Sequence, residues 1–225
     1  MPKQVTNVAA DDALTTIYRL SNDEGEEVKA STMAERLGNR PASVAGMLSR
    51  LSRDNLVKID NKKRITLTEE GFERAQLVVR RHRLAECMLV EIMGLDWVDA
   101  YQEAHLMEHA ISDVTEPLIV KLLNDPIVSP FGYPIPGSAV DEELSMRRLI
   151  DLDEGQQGEI DRVFEEEEGV LNFYNKYNLK PGVIVKIIHV EHADGEVDTI
   201  TVVIGDQPQE VTLGKRQSSK IWMVE

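Results

Sequence analysis

Residues 41–68 read PASVAGMLSRLSRDNLVKIDNKKRITLT, and their reading decides the fold of the first third of the chain. Proline is favourable in a first helical turn, where its missing N–H would find no partner anyway, so Pro41 opens a helix. Val44, Met47, Leu48 and Leu51 then recur at helical spacing and form its buried stripe. Beyond Asp54 the pattern changes to two short β-branched runs, NLVKID and ITLT, around the polar turn NKKR, which predicts a hairpin with a basic tip. Upstream, Ser31 or Thr32 can cap the short helix TMAERLG, which Gly38 stops. Residues 9–23 place Ala13, Ile17 and Leu20 on one face of a first amphipathic helix, ending in the acidic turn DEGEE. Helix, short helix, helix and hairpin in this order make a winged helix-turn-helix, expected over residues 1–74.

Further along, Phe72, Ala75, Leu77, Val78, Leu84, Met88 and Leu89 predict a long helix from Glu69 to about Met93, with Arg80, Arg81, His82 and Arg83 at its middle and Gly94 at its end. Two more helices are expected, from Trp97 to Ala110 and from Val114 to Leu123, giving a helical layer over 75–140 suited to dimerisation. The stretch SPFGYPIPG (129–137) reads as an ordered turn followed by a linker. Residues 141–225 differ in composition. Strand-like runs at 156–163, 183–191, 197–204, 209–213 and 219–224 are separated by KPG, ADGE and GDQP turns, with a helical insert at 165–178. That pattern predicts a small β-barrel, so the fold class is mainly α with a β module.

The net charge of −15 looks unfavourable for binding phosphates, but its distribution matters more than its sum. Residues 1–75 carry 12 Lys and Arg against 12 Asp and Glu, residues 76–145 carry 4 against 12, and residues 146–225 carry 9 against 16. A neutral DNA reader on an acidic body fits these counts. The single cysteine, Cys87, excludes an intramolecular disulfide and any multi-cysteine zinc site, which suits a reducing compartment. No apolar run approaches the ~20 residues that cross a bilayer, and the start MPKQVTNVAADD has no signal-segment pattern, so a cytoplasmic protein without a membrane partner is expected.

His105, Glu108 and His109 form the sharpest chemical cluster. Spacings of three and four residues put them on one helical face, suited to facial coordination of one metal ion through nitrogen and oxygen. The alternative is a solvated polar face. H-x-x-E-H also inverts a zinc-hydrolase motif, and sequence alone does not separate a closed regulatory site from an open catalytic one. His82 and Glu86, four residues apart on the preceding helix, form a second pair that can equally be an ordinary polar pair. Cys87 beside them reads as core, Asp11 and Asp12 as acids at a helix N-terminus, and the acidic run 165–168 as a solvated face. At the hairpin tip, Lys62, Lys63 and Arg64 read either as a soluble turn or, beside a helix-turn-helix, as a phosphate-contacting wing.

Taken together, RHRLAE (81–86), IMGLD (92–96), EAHLMEHAISD (103–113) and SPFGYPIPG (129–137) resemble the diphtheria toxin repressor family of iron- and manganese-dependent regulators, over nearly the whole chain. The resemblance implies a winged-helix domain, a helical metal-binding and dimerisation domain, and a C-terminal SH3-like barrel related to the iron-transport FeoA module. By position it implies a main metal site at Asp12, His105, Glu108 and His109. It also implies an ancillary site at His82 and Glu86 with a barrel acid, Glu167 or Glu168, although the usual further histidine falls on Tyr101. A main site without sulfur favours Mn(II) or Fe(II) on ligand hardness. The implied function is a homodimeric transcriptional repressor that grips double-stranded operator DNA when loaded with metal, with no catalysis and no small-molecule substrate. Arg40, Ser43, Ala45, Gly46, Ser49 and Arg50 would face the DNA; the four small residues allow close approach but offer few bidentate readers, so phosphate contacts and DNA shape share the work. Two rivals make other predictions: a metal-independent winged-helix regulator is indifferent to chelator, and a metallohydrolase turns over with an activating metal.

Overall fold

The structure, a computed structural model, describes residues 8–139, 144–205 and 209–224. The amino-terminal segment 1–7, the expected boundary after residue 140 and most of the GDQP turn lie outside these residues. α1 (Val8–Tyr18) buries Ala13, Leu14 and Ile17, and its end widens into a π-helical turn, Arg19–Asp23, closed by the Glu24 N–H on the Arg19 carbonyl at 3.1 Å. α2 (Ala30–Arg36) starts earlier than a Ser31 or Thr32 cap would set it. Lys29 is the capping position instead, and its N–H donates to Thr32 Oγ1 at 3.1 Å. α3 (Pro41–Arg53) buries Val44, Leu48 and Leu51, and β1 (Val57–Ile59) pairs antiparallel with β2 (Ile65–Leu67), Val57 opposite Leu67.

α4 (Glu69–Cys87) is capped by Thr68, whose hydroxyl accepts from the Gly71 N–H at 3.1 Å and donates to the Asn55 carbonyl at 2.6 Å. A Cβ at position 71 would lie 1.9 Å from the Leu56 carbonyl oxygen, so only glycine lets α4 lie against the hairpin. Instead of running on regularly to Met93, α4 passes into a second π-helical turn, Met88–Ile92. α5 (Trp97–Met107) begins at Asp96, whose carboxylate accepts the Val98 N–H at 3.0 Å, and α6 (Glu116–Leu122) follows. The expected continuation of α5 to Ala110 stops at Met107, because the N–H groups of Ala110 and Ile111 both turn back onto the Met107 carbonyl.

The β module is a five-stranded antiparallel sheet in the order β6-β5-β4-β3-β7, from β3 (Gln157–Val163), β4 (Ile184–Ala193), β5 (Glu196–Ile204), β6 (Glu210–Gly214) and β7 (Ile221–Met223). α7 (Glu168–Tyr177) fills the place of the helical insert, and a short α8 (Lys215–Ser218) precedes β7. The segment SPFGYPIPG is more than a turn and linker. Phe131 and Tyr133 sit in the sheet's own core together with Trp97 of α5, and the Val163 N–H donates to the Phe131 carbonyl at 3.0 Å. Gly132 has φ +93°, and a Cβ there would meet the Asp161 carbonyl at 2.2 Å, so the loop seats on β3 only through glycine. No described helix is long and apolar enough to cross a membrane.

Candidate metal centre

α1 and the end of α5 meet so that Asp12 faces His109, with Asp12 Oδ1 3.6 Å from His109 Nε2. Only His105 lies within α5. Glu108 is the residue that closes it, its N–H on the Ala104 carbonyl at 2.9 Å, and His109 lies in the turn beyond. Helical backbone angles at Glu108 (φ −53°, ψ −38°) nevertheless keep the three side chains on one side. Glu108, 3% exposed, is the hub. Its Oε1 is 3.2 Å from His109 Nε2 and 3.4 Å from His105 Nδ1, and its Oε2 is 2.6 Å from His82 Nδ1.

Asp12, Glu108 and His109 offer one ligand atom each within 4.8 Å of one another, and His82, His105 and Glu108 do the same. His105 therefore lies nearer the His82 side of Glu108 than the Asp12 side. Asp12 Oδ1 and His109 Nε2 are both buried without a hydrogen-bond partner, a costly arrangement unless a cation lies between them. Two ligand atoms each about 2.1 Å from one ion at right angles sit about 3 Å apart, close to the spacings here, so the residues fit a divalent ion held by oxygen and nitrogen. A cleft of about 540 Å³ lined by Asp12, Thr16, Arg19, Tyr101, His105 and Glu108 opens onto them. Burial raises the Asp12 carboxyl above its ordinary value, the nearby histidines notwithstanding.

His82 is fully buried between two carboxylates, with Glu86 Oε1 3.0 Å from its Nε2. Burial alone would lower its pKa and Arg19 works the same way, but Glu86 and Glu108 outweigh both and hold it above the ordinary histidine value. Glu108 responds in kind: burial acts to raise it, and the His82 hydrogen bond and charge bring it below the usual range. The barrel acids expected at this pair are engaged elsewhere. Glu167 takes Lys220 at 2.6 Å and also Arg216, while Glu168 accepts from Gln102 at 3.5 Å. The acids that turn inward are Glu165 and Glu166, so the acidic run is not a solvated face at these two positions. Arg19 Nη1 is 3.2 Å from Glu165 Oε1 and 3.0 Å from Glu166 Oε1. Arg19, Glu165 and Glu166 escaped the sequence reading; the one local signal was that Asp12, Thr16 and Arg19 share a helical face. Cys87 is buried and points its thiol at the Val128 carbonyl, in keeping with a core position.

In the head, Arg40, Ser43, Ala45, Gly46, Ser49 and Arg50 are all exposed along the start and outer face of α3. Lys62, Lys63 and Arg64 are exposed at the wing tip. The Asp60 carboxylate shapes that tip by accepting the N–H groups of Lys62 and Arg64 at 2.8 and 2.9 Å, and it also binds the Arg64 guanidinium at 2.7 Å.

Comparison with known proteins finds two matching family profiles: "Iron dependent repressor, N-terminal DNA binding domain" over residues 6–65, and "Iron dependent repressor, metal binding and dimerisation domain" over residues 68–137. The chain is 35% identical over 191 residues to the iron-dependent repressor IdeR of Mycobacterium tuberculosis, covering 84% of this chain and 74% of that protein. It is 40% identical over 149 residues to the diphtheria toxin repressor of Corynebacterium glutamicum, covering 64% of this chain and 65% of that one. Among solved structures, a manganese-dependent transcriptional repressor in complex with manganese superposes with a TM-score of 0.84 at 28% identity, covering 96% of this chain and 99% of the other. The manganese regulator SloR superposes with a TM-score of 0.79 at 25% identity, covering 96% and 98%.

Proposed function

The chain belongs to the iron-dependent repressor family, and from that premise we propose that Asp12, His105, Glu108 and His109 are the ligands through which Mn(II) or Fe(II) controls its grip on operator DNA. It is a metal-dependent transcriptional repressor and not an enzyme, as are the relatives it matches. One observation carries the ligand assignment: two buried, unpartnered ligand atoms, Asp12 Oδ1 and His109 Nε2, face each other from different elements. Asp12 stands on α1, whose buried face is part of the core of the DNA-reading head with Val44 and Leu48 of α3. His105, Glu108 and His109 stand on the helical layer. A bound divalent ion supplies positive charge that both parts share. Glu108 orients the histidines, and α1 carries any change at Asp12 into the packing of α3.

The same reading divides the chain into a head (1–74), a helical layer (75–140) and a β module (141–225). Separate apolar cores support it, with overlaps at both joints: Ala75 and Val79 of α4 belong to the head's core, and Trp97, Phe131 and Tyr133 to that of the sheet. The family's dimerisation region coincides with uncovered apolar side chains. Leu118 and Leu122, one helical turn apart on α6, are 64% and 59% exposed, and Met93 is 60% exposed. A homodimer covering this face would set two α3 helices at a fixed separation, as a palindromic operator requires. The reading is tested by anaerobic calorimetric titration of Mn(II). Glu108→Gln and His109→Ala are expected to weaken binding by more than the 10–100-fold typical of supporting residues. Affinity unchanged in both variants would move the site elsewhere.

A further inference from the structure

We propose that Arg74, aimed by Asp11, is a further contact to the DNA backbone, its guanidinium taking a phosphate at the edge of the face that α3 presents. The inference rests on the reading of that face as the DNA side. Asp11, on the first turn of α1, has a side chain only 4% exposed, and its Oδ1 accepts from Arg74 Nε of α4 at 2.7 Å, while the Arg74 side chain stays 35% exposed. A carboxylate that grips Nε fixes the plane of the guanidinium and leaves its two terminal nitrogens to another partner. The other arginines of α4 spend terminal nitrogens inside the protein: Arg80 on the Pro136 carbonyl, Arg81 on Asp113, and Arg83 on Asp23 and the Pro134 carbonyl. Among the described residues Arg74 is held at Nε alone.

Arg74 also lines a cavity of about 210 Å³ together with Ala9 and Ala10 of α1, Met47 and Arg50 of α3, and Asp54. Arg50 is exposed on the outer face of α3, so the cavity lies where that face meets the start of α1. Two guanidinium groups around one small space repel each other and attract an anion between them. The one acid on the wall, Asp54, is exposed and has its Oδ1 3.7 Å from Arg53 Nε, so a cation outside the cavity shares its charge. A backbone phosphate fits this arrangement, because the planar fork of an arginine matches two of its oxygens. Burial of the Asp11 carboxylate keeps the arginine in place before DNA arrives, since an unpaired charge inside the protein is costly. A contact of this kind positions the head and carries no sequence information. Asp11 directly precedes Asp12, so the residue that aims the phosphate contact and the proposed metal ligand share one turn of α1.

The test is the salt dependence of DNA binding by the full-length protein at saturating Mn(II), followed by fluorescence anisotropy on a duplex selected with the wild type and on an unrelated duplex. Arg74→Gln should lower the slope of log affinity against log salt by about one unit on both duplexes. The double variant Asp11→Asn with Arg74→Gln leaves no bare carboxylate inside and should lose the same unit. A head that is merely less stable binds more weakly without changing the slope, so the slope separates contact from folding. Wild-type slopes in both variants would overturn the proposal. A loss confined to Arg74→Gln would trace to the bared Asp11 carboxylate and would overturn it equally. Arg50→Ala and Lys62→Ala serve as references: slopes unchanged in these as well would overturn the reading of the DNA face, whereas slopes lowered in these but not in the Arg74 variants would remove Arg74 alone.

Discussion

Glu108 and His82 show how one residue's charge state depends on the next. Buried together, they share a hydrogen bond of 2.6 Å, and His82 is held above the ordinary histidine value by the carboxylates on both its nitrogens. A group whose folded pKa is raised contributes stability that is complete below its unfolded value, ~6.5 for histidine, and is lost as pH rises through the folded value. Glu165, which burial pushes up to about 8 from 4.5, acts in the same direction: the folded chain keeps a proton that the unfolded chain releases, and the advantage disappears as pH climbs towards 8. The metal-free protein is therefore expected to lose thermal stability as pH rises from about 5 to about 8. Each retained pKa unit is about 1.4 kcal/mol, or roughly 3–6 °C in a chain of this size. Scanning calorimetry in chelator checks this, and a melting temperature that rises over the range contradicts it. At this scale the sequence was legible only where ligands sit close together. His105, Glu108 and His109 announce themselves by spacing, but Asp12 looks like any acid at a helix start, and only the family resemblance singled it out. Arg19 and Glu165 pair across 146 positions, and no local pattern encodes such a meeting.

Among the elements, α3 and the hairpin follow closely from periodicity, because each buries one regular stripe. Helix ends were harder to read, since they depend on hydrogen bonds formed after packing: α5 stops at Met107 and leaves Glu108 and His109, two of the proposed ligands, in the turn beyond it. The two π-helical turns likewise have no signature in spacing, yet the first contains Arg19 and Asp23, two of the charged groups that join the modules. The wing gives the clearest prediction at this scale. Lys62 and Lys63 have exposed side chains, whereas the Arg64 guanidinium is bound to Asp60. Lys62→Ala and Lys63→Ala should each reduce the slope of log affinity against log salt by about one unit, weakening all DNA sequences alike. Arg64→Ala should change it less. Fluorescence anisotropy at several salt concentrations measures the slopes, and equal slopes for all three variants and wild type would remove the wing from the interface.

Across the whole molecule, buried arginines hold the three parts together. Arg83 of α4 binds Asp23 of the head and the Pro134 carbonyl at 2.7 Å. Arg162 of β3 donates to the Asp23 carbonyl at 3.1 Å and the Ser145 carbonyl at 2.6 Å. Ion pairs so buried are costly to break, since removing one partner leaves an uncompensated charge inside. The head, helical layer and β module were each visible as separate patterns in the sequence, but their joints were not, because an arginine in a helix looks the same whether it faces water or another module. Within this frame Asp12 is the contact at which metal can act on the reading head, and this is the account's central claim. It is tested most directly by measuring operator affinity against Mn(II) concentration, anaerobically and at fixed salt, for wild type and Asp12→Ala. The operator comes from selection on the wild-type protein. Wild-type affinity should rise with Mn(II) by about 5–150-fold, the usual range of coupling between two sites. Asp12→Ala should remain folded, still bind Mn(II) weakly through His105, Glu108 and His109, and show no such rise, because an ion bound equally in both conformations shifts neither. A full manganese-dependent rise in Asp12→Ala would contradict the account and return Asp12 to the role of an ordinary acid at a helix start.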